Sequence, residues 1–115
     1  MEHLKIENLN TDSTSFHGET IAASVQVMKR VLGEITYEDN TGTDKVNFEW
    51  CRQTESKNVF TVYDWKNYRA LSETEVVCWH IGAYNKEISL NAYEEILSAI
   101  SKLVAASVVK LRNPF

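Results

Sequence analysis

The sequence predicts a two-layer α+β domain: an N-terminal helix, a three-stranded antiparallel β-meander, and a long C-terminal helix packed on the sheet. Three observations carry this. Lys45 to Cys51 alternates apolar and polar residues, and two further β-rich runs follow at Val59–Trp65 and Val76–Ile81. Ile21, Val25, Met28 and Leu32 recur at spacings of four, three and four, which is the helical period. Tyr93, Ile96, Leu97, Ile100, Leu103, Val104 and Val108 form one broad apolar stripe, long enough to lie across three strands.

Residues 1–16 read as polar loop, with Leu4 and Ile6 as candidates for a short edge strand. His17-Gly-Glu-Thr20 then reads as the start of a helix over Thr20–Leu32, with Thr20 as N-cap and Gly33 as the stop. Ile35–Tyr37 is a short extended piece, and Glu38–Asp44 is a loop of turn formers. In the first strand Val46, Phe48 and Trp50 point one way, while Lys45, Asn47 and Glu49 point the other. Val59–Trp65 carries apolar residues on both faces, as a central strand does. Val77, Trp79 and Ile81 share one face of the third. Short connections require antiparallel pairing, because a parallel crossover takes about a dozen residues or more. Asn91 and Glu94 form a capping box for a helix over about Ala92–Val109, and Pro114 ends it. Three strands leave two open edges, so a homodimer through a sheet edge is an expectation.

The chain fits one domain over residues 1–115. Hydrophobic residues make up 43%, with three Trp, five Tyr and four Phe, enough to build a core without metal or disulfide. The formal net charge of -4, from interspersed signs, disfavours nonspecific nucleic-acid binding, which needs clustered Lys and Arg. Two cysteines, Cys51 and Cys78, make no secretory disulfide framework. No leader or membrane span is apparent, so a cytoplasmic location is expected.

Chemistry is sparse. His3, His17 and His80 are scattered and no paired-cysteine motif accompanies them, so no metal or cofactor is expected. The four glycines form no phosphate-binding loop. No motif positions a nucleophile, and no catalytic residue is assigned, although Cys78 or Ser72 could be assembled with His80 and Asp64 into a trio. The informative residues lie where two strands end. Tyr63, Asp64, Trp65, Lys66, Tyr68 and Arg69 interleave aromatic and charged groups, and His80 and Tyr84 lie in or beside the strand that would pair with them. Aromatic rings beside cations serve stacking and cation–π recognition. These eight residues are the candidate binding site.

Phe48-Glu-Trp50, Phe60-Thr-Val-Tyr-Asp-Trp-Lys66 and Trp79-His-Ile-Gly82, behind a helix ending in Val31-Leu-Gly33, resemble a group of short bacteriophage-encoded proteins. The resemblance spans roughly Phe16 to Leu97 and implies an accessory protein acting in a bacterial cytoplasm; it implies no catalytic residues. The leading expectation is a small non-enzymatic protein that binds and inhibits a host protein, for example a defence component such as a CRISPR effector. A protein that sequesters a nucleotide-type signal is the alternative, with Trp65 or Tyr63 stacking on a base and Lys66, Arg69 and His80 meeting phosphates. A small enzyme using Cys78 and His80, and direct RNA binding, complete the set.

Overall fold

A computed structural model describes residues 11–112, with side chains described through residue 106. The elements are β1 (Ser15–Ser24), α1 (Val25–Leu32), β2 (Tyr37–Glu38), β3 (Phe48–Gln53), β4 (Val59–Tyr63), β5 (Val76–Ala83) and α2 (Lys86–Arg112). The architecture is α+β, with one short helix and one long C-terminal helix. The sheet has five strands, in the order β1-β5-β4-β3-β2, and every neighbouring pair is antiparallel. The expected three-stranded meander is therefore corrected: β3, β4 and β5 do pair consecutively, but β1 extends the sheet beyond β5 and β2 extends it beyond β3. The expected open edges are thus covered, and the outermost strands are β1 and the two-residue β2.

The expected helix over Thr20–Leu32 is also corrected. Its first third is strand, and α1 begins at Val25. Ser24, rather than Thr20, is the N-cap, and its hydroxyl accepts the Val27 N–H at 3.1 Å. The physical reason is that two periods overlap here. Ile21 and Ala23 are buried while Thr20 and Ala22 are exposed, a period of two, and the four-residue step from Ile21 to Val25 crosses the strand–helix junction. Pairing of Ile21 opposite Trp79 and Ala23 opposite Val77 then decides for strand, since tertiary pairing overrides a local helical pattern. His17–Thr20 lies not at a helix start but at an irregularity of β1, where Gly18 adopts φ +104°.

Helix α2 begins earlier than the sequence predicts. The Asn85 side chain accepts the Ile88 N–H at 2.9 Å, so Asn85 does the capping expected of Asn91, which lies inside the helix. The expected edge strand at Leu4 and Ile6, and the helix stop at Pro114, fall outside the described residues.

Both helices cover one face of the sheet. Val25, Met28 and Leu32 of α1 and Ala92 and Ile96 of α2 pack with Phe48, Trp50, Phe60, Val62, Trp79 and Ile81 in a single buried cluster. Trp50 and Trp79 meet edge to face at 5.4 Å between ring centres. Each indole N–H is satisfied inside the core: Trp50 donates to Gly33 O at 3.0 Å and Trp79 to Ala23 O at 2.9 Å. Among the described residues, no helix is long and apolar enough to cross a membrane.

Arg52 is buried at the inner end of β3 without a carboxylate partner among the described residues. Its guanidinium donates to Leu32 O at 2.8 Å, Cys51 O at 2.7 Å, Thr36 Oγ1 at 3.2 Å, and Glu34 O. A cation set against the last carbonyls of α1 complements the helix dipole. Arg52→Met keeps the stem but strands those acceptors, and should lower unfolding free energy by about 2 kcal/mol. Urea denaturation checks this, and an unchanged midpoint would show that water replaces the guanidinium at little cost.

Candidate functional site on the outer sheet face

Directly opposed residues of an antiparallel sheet share a face. The register therefore places one row across the sheet: Tyr37 opposite Glu49, Glu49 opposite Tyr63, Tyr63 opposite His80, and His80 opposite Thr20. The next row is Cys51, Thr61, Gly82 and Phe16. These rows lie on the face turned away from α1 and α2, which no helix covers among the described residues.

Four rings gather there. Phe16 stacks on His80 with centroids 4.3 Å apart and planes 26° from parallel. Tyr63 lies 5.6 Å from His80 and 6.0 Å from Trp65, and Trp65 lies 6.5 Å from His80. Phe16 is 43% exposed and Trp65 42%. The ammonium groups of Lys45 and Lys66 stand 5.9 and 5.5 Å from the Trp65 ring centre, within cation–π range.

Beside the rings is a shallow pocket of about 210 Å³, lined by Thr14, Ser15, Val46, Glu49, Thr61, Tyr63, Trp65 and Gly82. Gly82 makes room for the Thr61 side chain in the floor: a Cβ there would stand 2.5 Å from Thr61 Oγ1. Burial raises the Glu49 carboxyl above its ordinary value, and among the described residues no cation or donor offsets it. Burial, and then the Glu49 charge, push the Tyr63 hydroxyl up as well. A wider groove of about 530 Å³ lies between the β3–β4 turn and α2, but its walls include three glutamates, and Glu95 there already accepts the Glu55 backbone N–H.

The structure sorts the eight predicted site residues into two groups. Tyr63, Trp65, Lys66 and His80 come together on the outer face. Asp64 is fully buried and holds the fold. Its Oδ1 accepts the N–H groups of Asn47 and Phe48 at 2.8 and 2.9 Å, and its Oδ2 accepts the side-chain amides of Asn47 and Asn67 at 3.1 and 3.0 Å. Arg69 is occupied in a two-pronged pair with Glu75 at 2.8 and 2.7 Å. That pair, helped by the Ser72 backbone N–H, pulls the Glu75 carboxyl down to about 2. Tyr68 and Tyr84 are exposed but make no contact with the four rings. Asp64 and His80 do not meet, so the trio of Cys78, His80 and Asp64 is not assembled. Cys51 is buried, and burial raises its thiol to about 11; Cys78 is exposed.

Burial among the rings lowers the His80 pKa below its ordinary 6.5. The unfolded chain therefore takes up a proton before the folded one does. Stability contributed by neutral His80 is complete above about pH 6.5 and is lost as pH falls toward the depressed folded value. Urea titrations at pH 7.5 and pH 5 should show a larger acid loss for the native protein than for His80→Phe, whereas equal losses would place His80 in water.

Sequence reasoning missed Phe16, Lys45 and Glu49 as site residues. Phe16 reaches His80 across the sheet, and Glu49 joins Tyr63 only through the β3–β4 register. The wet side of the Lys45–Cys51 alternation was the available signal for Lys45 and Glu49. Comparison with protein-family models, curated proteins and solved structures returned no match.

Proposed function

We propose that this protein is a non-enzymatic binding module that docks on a partner protein through the outer face of its sheet. One observation carries the reading: four rings, two of them more than 40% exposed, are clustered on the sheet face opposite the helices. Exposed aromatic clusters mark recognition surfaces, because Trp and Tyr dominate the energetics of protein interfaces. Phe16, Tyr63 and His80 stand on paired strands, and the Lys66 N–H to Lys45 O bond ties down the segment that carries Trp65 just after β4, so less ordering entropy opposes docking. Given the resemblance to bacteriophage-encoded proteins, the partner is a host protein of the bacterial cytoplasm, and covering its surface would inhibit it.

The geometry lends less to nucleotide sequestration. That reading drew on Lys66, Arg69 and His80 as phosphate contacts; Lys66 does stand beside Trp65, but Arg69 is held by Glu75, and burial favours neutral His80. The test is a parallel affinity capture from bacterial lysate with the native protein, Trp65→Ala and Tyr84→Ala. A stoichiometric protein retained by the native chain and by Tyr84→Ala, but lost with Trp65→Ala, is the expected result. Retention by all three would remove the outer face from the account.

A further inference from the structure

We propose that the pocket beside Trp65 receives an arginine side chain of the partner protein, with its guanidinium against the rings of Trp65 and Tyr63 and paired with Glu49. The inference rests on the docking reading above and names the chemistry that this face selects.

Size argues first. At about 210 Å³ the pocket lies below the roughly 300–1,000 Å³ of sites that enclose whole small molecules, so it suits one side chain better than a nucleotide. Charge argues second. Any partner that covers this face also covers Glu49, which is already half-buried and, among the described residues, has no cation or donor offsetting it. An apolar occupant would leave the Glu49 carboxyl either charged without a partner or obliged to take up a proton, each at a cost. An occupant that brings positive charge or N–H donors avoids that cost. The net charge of -4 favours the approach of a cationic surface.

The walls argue third. Trp65 already draws two ammonium groups to within 6 Å of its ring centre, so the ring surroundings attract cations. Both lysines are exposed and can swing away when a better-fitting cation arrives. Arginine fits better than lysine on two counts: its planar guanidinium stacks on aromatic faces, and its fork matches a carboxylate with two parallel hydrogen bonds.

The test is an NMR titration of the full ¹⁵N-labelled chain with N-acetyl-arginine methylamide, its uncharged norleucine counterpart, and guanosine monophosphate. The Trp65 indole N–H is the reporter, because those of Trp50 and Trp79 are bonded inside the core. The arginine probe should shift the Trp65 signal saturably, with a dissociation constant on the order of 1–10 mM. Glu49→Gln should weaken that binding at least about five-fold, and the norleucine probe should give no saturable shift. Equal binding of arginine and norleucine probes, unchanged affinity in Glu49→Gln, or tighter binding of the nucleotide would each overturn the proposal. The two probes on the native chain decide the matter even if Glu49→Gln folds poorly. If the arginine probe fails while Trp65→Ala still abolishes partner capture, the docking face stands and the arginine assignment falls.

Discussion

Asp64→Ala should destabilise the fold by about 3–5 kcal/mol. The carboxylate accepts four hydrogen bonds from inside the protein, two from backbone N–H groups at the start of β3 and two from asparagine amides. Hydrogen bonds to a charged acceptor contribute about 1.5–3 kcal/mol each, and a buried donor left without a partner adds its own desolvation cost. Four such bonds do not sum, because they share one acceptor and relax together. The damage would spread to the site. Asn47, held by Asp64, also donates to Arg69 O at 2.9 Å, and Lys66 donates its N–H to Lys45 O at 2.7 Å. This network fixes the segment after β4, where Lys66 and Tyr68 adopt φ of +55° and +51°. Asp64→Asn keeps the shape but turns an amide toward other amides, so an intermediate loss is expected. Chemical denaturation of the three proteins checks the series, and near-native stability of Asp64→Ala would mean that water satisfies the β3 donors.

Trp65→Ala should weaken partner binding by about 2–3 kcal/mol, roughly 30- to 150-fold, while changing stability by less than about 1 kcal/mol. The split follows from position. Trp65 is 42% exposed and touches Tyr63, His80 and two lysines rather than the helices, so its removal opens no cavity in the core. On docking, the same ring would lose its remaining water and become a central anchor. Isothermal titration against the purified partner, with a thermal melt of the variant, separates the two effects. A large drop in melting temperature together with the binding loss would make Trp65 a structural residue.

The strands β3 and β5 were legible because their alternation is a local property, and β4 because it is a β-rich run apolar on both faces. So was the shared face of Phe48 and Trp50, and that of Val77, Trp79 and Ile81. Strand β1 was not. Its alternation is short, and Ile21 happens to continue the spacing of Val25, Met28 and Leu32, so only pairing with β5 resolves the ambiguity. In the candidate site, Tyr63, Trp65 and His80 could be read from two strand ends that had to be neighbours. Asp64 misled because it sits in the same run as Trp65 and Lys66, and its burial depends on Asn47, which is 17 residues away. Phe16 could not be found without knowing that β1 lies beside β5.

The central claim is that the outer sheet face is the docking surface. The most direct measurement is a ¹H–¹⁵N spectrum of the labelled protein with and without the captured partner. The account predicts that signals shift or broaden first at Phe16, Glu49, Tyr63, Trp65 and His80, while those of α2 facing the acidic groove, such as Glu94 and Ser98, stay in place. Perturbation centred on α2 and the β3–β4 turn, with the ring cluster unmoved, would contradict it.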